Sequence, residues 1–393
     1  MRAPRCATVG TCAARLAAAR RGGRRAVLAA LLVAALAVPA AAAGPSGVSA
    51  GSYIVVEPQS GTVLAQRGAD RALPMASTTK MMTALVTVER ASLDETAVVP
   101  REALVGGSSA GLAAGERRTV RDLLVGLLVP SGNDAAITLA DHVGGSQARF
   151  VALMNRRAAE LGLTRTHFVT PHGLDRPGHR ASVRDLVTLA RELMTHPEVR
   201  AIVARRTATI PAPGGGRRVL QNQNDLLAVD PEVDGVKTGH TDGAGYALVA
   251  HARRESLGVE LYAAFIGSPS EAARVADGER LLTWGFSQFA RPVLVRDGQV
   301  FGRARVRNRP GVTVGLAARG RIAAPILLSE PITERVVATP EVVPPIRRGQ
   351  VVGRVTVRAG DRVLGTVPLV AERNVAGPGA VDRLRAAWDQ VTP

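Results

Sequence analysis

Residues 76–85 read Ala76-Ser77-Thr78-Thr79-Lys80-Met81-Met82-Thr83-Ala84-Leu85. Pro74 precedes them, and Ala84, Leu85 and Val88 recur at helical spacing, so the stretch predicts a buried helix. A separation of three puts Ser77 and Lys80 on one helix face, a turn apart. Ser77 is then expected at the helix N-terminus, where the dipole stabilises negative charge. A serine hydroxyl needs a base to become a good nucleophile. Lys80 can be that base only when neutral. Bringing its pKa from about 10.4 to near 7 takes roughly 4–5 kcal/mol, from burial and a second nearby cation. Alone, this spacing also suits an ordinary surface helix.

Composition singles out the second cation. Lys80 and Lys237 are the two lysines of the chain, and every other basic side chain apart from histidine is arginine. Arginine stays protonated in proteins, whereas a desolvated lysine can lose its proton. Lys237 opens Lys237-Thr238-Gly239 in a stretch that reads as a strand. Its cation and the Thr238 hydroxyl suit a substrate carboxylate. Gly239 lets an extended substrate lie against the strand edge, and the backbone N–H of His240 can join that of Ser77 as an oxyanion hole. Between the two lysines lies Ser131-Gly132-Asn133. A Ser131 hydroxyl set between two lysines can relay a proton to a leaving amine. The Asn133 amide can orient Lys80 and hold a substrate carbonyl. Taken alone, this turn reads equally well as a helix cap.

Around these motifs, Ser52–Glu57 and Thr62–Gln66 flank the turn Pro58–Gly61 and read as a hairpin. Helices are predicted over 120–129, Asp134–Val143 and Gln147–Leu161, the last with a stripe of Phe150, Met154, Ala158 and Leu161. Another is capped by Ser182, with Asp185 three residues on. Strands follow around Lys237, over Tyr246–Ala252 and over Val259–Ile266, and a helix over about 270–289 closes the unit. The predicted fold class is therefore α+β, an antiparallel sheet covered by helices. Beyond Pro292 the chain turns Val-rich and alternating, which predicts a second, smaller all-β domain. A tail after Gly377-Pro378-Gly379 places Val381, Leu384, Trp388 and Val391 on one stripe if helical. It reads either as a helix packed on its own domain or as an interfacial anchor.

The expected domains are a signal peptide at 1–43, a catalytic domain at 44–290, a β-rich domain at 291–376 and the tail at 377–393. The first carries seven arginines and no acid, then the apolar run Ala26–Ala43 ending in Ala41-Ala42-Ala43, the pattern of an export signal. An uncleaved anchor is the alternative, though the run is slightly short of the roughly 20 residues that a span needs and contains Pro39. Both cysteines, Cys6 and Cys12, lie in this segment, so the exported chain is expected to have no disulfide and no thiol chemistry. Removing those seven arginines from the net charge of +17 leaves +10, read as spread along the chain without a basic block. With few aromatic residues for base stacking, no nucleic-acid partner is expected. A basic surface instead favours an anionic polymer or anionic lipid head groups. His167, His172 and His179 share a loop but form no metal-ligand pattern, so loop hydrogen bonding is expected, with no metal and no cofactor.

The three motifs, in order on helix, loop and strand, form the set found in penicillin-binding proteins and class A β-lactamases. More closely, four stretches resemble the low-molecular-mass penicillin-binding proteins of the serine-type D-alanyl-D-alanine carboxypeptidase family, which includes penicillin-binding proteins 5 and 6. They are 76–85, Leu123-Leu124 with Ser131–Ala136, Thr166–Asp175 and Asp234–Thr241. The resemblance implies a β-lactamase/transpeptidase-like fold over roughly 50–290 and extends more loosely into 292–375. It implies Ser77 as acylated nucleophile, Lys80 as acylation base, and Ser131 and Asn133 as second-motif residues. Lys237 and Thr238 become carboxylate binders beside Gly239, and the His240 N–H becomes an oxyanion donor. The implied partners are peptidoglycan stem peptides ending in D-Ala-D-Ala, with β-lactams as slow-leaving mimics. The implied place is the periplasm or cell-envelope space, with attachment to the membrane surface open. Some relatives carry a basic residue just before the equivalent of Asn224. Here Gln223 stands there, which implies weaker carboxylate binding or compensation by another arginine. A class A β-lactamase would need a deacylating Glu-x-x-Leu-Asn, which the chain lacks. A D,D-endopeptidase shares every motif, and a non-catalytic wall-binding protein on the same fold is the remaining alternative.

Overall fold

The computed structural model describes residues 44–377, 379–381, 384 and 388. The expected signal peptide and Val391 lie outside the described residues. Five strands build the central sheet: β1 (Ser52–Glu57), β2 (Thr62–Arg67), β3 (Val233–Thr241), β4 (Gly245–Arg254) and β5 (Val259–Ser268), in the order β2-β1-β5-β4-β3. Every neighbouring pair is antiparallel. The two early strands and the three late ones thus join through β1 and β5, with the helices inserted between them. Strands β1 and β3 to β5 are mainly buried because they are covered on both faces. Such strands lose polar alternation, and β1, β4 and β5 read as largely apolar runs.

One face carries the helical layer. It includes α1 (Lys80–Arg90), α2 (Val120–Leu128), α3 (Asn133–Gly144), α4 (Gln147–Glu160), α5 (Val183–Leu193) and α6 (Pro197–Val203). Their apolar faces share one core with Ile54, Val56, Val249 and Ala264 of the sheet. The other face packs on α7 (Glu271–Ser287), whose Leu281, Leu282 and Phe286 meet Val55, Leu248 and Phe265. The cap at Ser182 forms as predicted: its side chain accepts the Asp185 N–H at 3.1 Å. In α4 the stripe residues Phe150, Met154 and Ala158 are buried.

One local expectation is modified. Ser77 does not sit in the first turn of an α-helix. It lies in a 3-10 turn, Ala76–Thr79, and α1 begins at Lys80. The tighter turn still keeps residues three apart together, because i and i+3 eclipse in 3-10 geometry.

Past Pro292 the chain forms an all-β unit around a six-stranded sheet. Its strands are β6 (Val300–Val306), β7 (Thr313–Ala318), β8 (Ile332–Ala338), β9 (Glu341–Val342), β10 (Val351–Ala359) and β11 (Arg362–Ala371), in the order β8-β10-β11-β7-β6-β9. It has a separate core that includes Val314, Val355, Val357, Leu369 and Ala371. Among the described residues no helix is long and apolar enough to cross a membrane.

Candidate active site

Three elements converge on Lys80. Its Nζ donates to Ser77 Oγ at 2.7 Å, to Asn133 Oδ1 at 2.7 Å and to the His172 carbonyl oxygen at 2.8 Å. An ammonium has three N–H donors and no acceptor, so this geometry uses all three. A neutral amine keeps two N–H bonds and one lone pair. The Asn133 and His172 oxygens can only accept, so the lone pair is left pointing at Ser77 Oγ. The site therefore orients the Lys80 amine toward Ser77 before it is deprotonated. Burial, then the charge of Lys237, hold the Lys80 pKa well below the usual lysine range, while the Asp134 carboxylate pulls it the other way.

The second motif supplies more than its sequence announces. The Asn133 side-chain N–H2 donates to the Gly106 carbonyl at 2.8 Å, and its backbone N–H donates to the Ser108 carbonyl at 2.8 Å. Asn133 thus ties Lys80 to the loop at 104–112. Asp134, buried beside it, accepts from Ala110 N at 2.9 Å, Leu112 N at 3.0 Å and Ser109 Oγ at 2.6 Å. Ser131 has positive φ (65°). Its hydroxyl oxygen is buried and makes no hydrogen bond among the described residues. A buried hydroxyl without a partner is costly, and this one belongs to the motif expected to meet a substrate.

Strand β3 closes the site. Lys237 is 2% exposed, and its Nζ donates to the Thr238 carbonyl at 3.0 Å. Burial, then the charge of Arg274, bring its pKa down to about 7. Thr238 is buried beside it. Gly239 packs directly on the 3-10 turn that holds Ser77. A Cβ there would lie 2.9 Å from Ser77 N and 3.0 Å from Ala76 Cβ. The exposed His240 ring stacks on Tyr246 with centroids 4.0 Å apart. Gln223 donates to Ser108 Oγ at 3.0 Å and thereby joins β3's neighbourhood to the same loop. The buried guanidinium nearby is Arg274, which donates to the Gln223 carbonyl at 3.1 Å and also pairs with Asp225 and Glu271.

The loop that carries His167, His172 and His179 was expected to serve in hydrogen bonding, and its contacts have that character. The Asp175 carboxylate accepts from Thr241 Oγ1 at 2.8 Å and Gly243 N at 3.0 Å, fixing the loop to the β3–β4 turn. Gly173 (φ 95°) lies so close that a Cβ would come 2.1 Å from the Ala76 carbonyl oxygen. His179, expected only to make hydrogen bonds within its loop, also reaches the turn that holds Ser77. Its Nδ1 accepts the Val169 N–H at 2.9 Å, so Nε2 carries the proton and donates to Thr79 Oγ1 at 2.7 Å. Thr79 in turn donates to the Ala76 carbonyl at 2.8 Å, one residue before Ser77. The only sequence clue was a histidine in a loop already near the motifs.

Burial foremost lowers the pKa of both His172 and His179 from 6.5 to about 4. Above 6.5 neither state binds the proton. As pH falls towards 4 the unfolded chain takes up protons that the folded chain refuses, so stability is lost in that window. Thermal unfolding measured from pH 7 to pH 4 will show a falling Tm, with a shallower fall in His179→Gln.

Among the described residues no group of three or more His, Cys, Asp or Glu side chains could hold a metal. The comparisons now bear on this geometry. Residues 39–269 match the peptidase S11 family, described as D-alanyl-D-alanine carboxypeptidase, and residues 289–376 match the C-terminal domain of penicillin-binding protein 5. The chain belongs to the D-alanyl-D-alanine carboxypeptidase family. D-alanyl-D-alanine carboxypeptidase DacC of Escherichia coli is 35% identical over 367 residues, covering 88% of each chain. The solved structure of penicillin-binding protein 5 from Haemophilus influenzae is 29% identical with a TM-score of 0.61, over 85% of this chain and 100% of that one. A Streptomyces DD-transpeptidase is 31% identical with a TM-score of 0.59, over 63% of this chain and 100% of that one. The carboxypeptidase family thus carries the main reading, and the β-lactamase, endopeptidase and non-catalytic alternatives are not favoured.

Proposed function

We propose that Ser77 removes the terminal D-alanine of peptidoglycan stem peptides through an acyl-enzyme, with Lys80 as its base. The observation that carries this reading is the three-way fixation of Lys80 against Ser77 Oγ, Asn133 Oδ1 and the His172 carbonyl. Lys237 and Thr238 bind the terminal carboxylate and place the penultimate carbonyl over Ser77. Neutral Lys80 takes the Ser77 proton as Oγ attacks that carbon. The backbone N–H groups of Ser77 and His240 stabilise the oxyanion. Ser131 relays that proton from Lys80 to the leaving amine, the C–N bond breaks, and D-alanine departs. Lys80, neutral again, takes a proton from water as it attacks the ester, and returns it to Ser77 Oγ as the C–O bond breaks. Asn133 holds Lys80 and offers its remaining amide N–H to the substrate, and Gly239 keeps β3 close enough for both oxyanion donors to reach one point. β-Lactams acylate the same serine and leave slowly.

The test is peptide mapping of wild-type protein after a fluorescent penicillin, alongside D-alanine release from an acyl-D-Ala-D-Ala tripeptide. An adduct on the peptide holding Ser77, with D-alanine released, is expected. An adduct elsewhere, or none on folded protein, overturns the assignment.

The two lysines also set the pH profile. Activity as kcat/KM rises with pH as Lys80 loses its proton. It falls again above about 7, where the free enzyme's Lys237 loses the cation that binds carboxylate. Because kcat/KM reports the free enzyme, a bell is expected on the tripeptide. Lys237→Arg, which stays charged, removes the falling limb whatever it does to the maximum. A falling limb that survives in that variant would assign it to another group.

A peptidoglycan-trimming enzyme works outside the cytoplasm, which accords with the export signal at 1–43. The exposed side chains of Val381, Leu384 and Trp388, at helical spacing, support attachment of the tail to the membrane surface. A chain ending at 377 is expected to stop co-sedimenting with lipid vesicles.

A further inference from the structure

The charge of the exported chain is unevenly divided. Residues 292–377 carry fourteen arginines and six carboxylates, net +8, whereas residues 44–291 carry net +2. The expectation of evenly spread charge is therefore corrected at the level of domains. Part of this charge is paired within the β domain, as in Arg303–Glu372 and Arg307–Glu341. The outer face of β8, β10 and β11 is different.

Strand register fixes which side chains share that face. Arg335 on β8 stands opposite Thr356 on β10, Val337 opposite Arg354, and Thr333 opposite Arg358. Across the next pair, Arg354 faces Pro368 and Thr356 faces Thr366. The alternate residues Val336, Val355, Val357, Val367 and Leu369 point into the core, so this set points outward. Arg335 therefore has Arg354 and Arg358 as its two diagonal neighbours, at the roughly 7–8 Å typical of such pairs. Among the described residues the side chains of Arg335 and Arg354 make no ion pair or hydrogen bond, and the Arg358 guanidinium donates to the Asp361 carbonyl. A shallow groove of about 570 Å³ adjoins them, lined in part by Val337, Val351, Arg354, Thr366 and Pro368.

Like charges on neighbouring cross-strand positions repel, and this face carries no carboxylate to offset them. We propose that it binds carboxylates along the peptidoglycan polymer, away from the stem-peptide end held in the active site. Guanidinium pairs carboxylate through two parallel hydrogen bonds, and the face offers three within one sheet width, with threonine hydroxyls between them for a glycan. Nucleic acid and lipid fit less well. Phe301, on β6, is the sole aromatic residue of 292–377, so the face lacks the rings that stack on bases or anchor at lipid interfaces. A second contact on the same polymer raises the local concentration of stem ends at Ser77 without any change in the catalytic site.

This inference rests on peptidoglycan being the substrate, so its test separates the two. Full-length exported protein would be compared with Arg335→Glu/Arg354→Glu. Binding to purified sacculi would be measured by co-sedimentation in a Ser77→Ala background, and activity on the soluble tripeptide in the active background. About a tenfold loss of sacculus affinity is expected for two reversed exposed charges, diminishing at high salt, with tripeptide kcat/KM and Tm unchanged. D-alanine release from sacculi falls in parallel. Unchanged sacculus binding overturns the proposal, as does a loss confined to phosphatidylglycerol vesicles, which would make the face a lipid contact. If neither protein cleaves the tripeptide, the catalytic reading fails while the sacculus-binding comparison still stands.

Discussion

Lys80→Arg will lower the rate of acylation by penicillin about 10³-fold, within the range that a positioned general base contributes. Arginine keeps the positive charge and can still donate to Asn133 Oδ1 and to the His172 carbonyl, which lie 2.7 and 2.8 Å from Lys80 Nζ. It cannot give up a proton near neutrality. Charge and most contacts are thus retained while the lone pair aimed at Ser77 is lost. Stopped-flow quenching with the fluorescent penicillin, beside a thermal melt, separates loss of the base from loss of the fold. A variant that melts like wild type and acylates within tenfold of it would show that Lys80 orients Ser77 without taking its proton.

Gly239→Ala will lower acylation by about 10²–10³, the range typical of losing one oxyanion donor. The added methyl would lie 2.9 Å from Ser77 N, 3.0 Å from Ala76 Cβ and 3.2 Å from Thr78 N. None of these is the free end of a flexible side chain, so β3 must move away from the turn that holds Ser77. That movement separates the Ser77 and His240 N–H groups, the proposed oxyanion donors, which on that reading have to meet at one oxygen. The strand itself remains paired with β4 on its other edge, so Tm should fall only slightly. Near-normal acylation would mean that the oxyanion is held by a different pair of donors.

Much of the fold follows from local pattern. The Phe150, Met154 and Ala158 stripe has the helical period, the Ser182 cap marks a helix start, and the apolar runs around Val249 and Ala263 announce buried strands. Order along the chain then places two early and three late strands in one antiparallel sheet. The 3-10 turn at Ala76–Thr79 was not legible, because residues three apart meet in either helix type. It is held by Thr79 and His179 and by the close approach of Gly173, contacts made across the fold.

The chemistry divides along the same line. Ser77, Lys80, Ser131, Asn133 and the Lys237-Thr238-Gly239 run stood out as candidates from residue type, because the proposed nucleophile, base and carboxylate binder each demand particular side chains. A chain with two lysines among its arginines made that demand visible. The third acceptor of Lys80 is the backbone carbonyl of His172, 92 residues away, and the link from His179 to Thr79 spans 100 residues. Any residue has a carbonyl, so such a contact leaves no mark in composition or spacing. The arginine face was hidden for a related reason. Arg335, Arg354 and Arg358 come from two strands, and only register brings them side by side. Sequence determined which groups could do the chemistry; tertiary structure decided which backbone atoms orient them and which charges become neighbours.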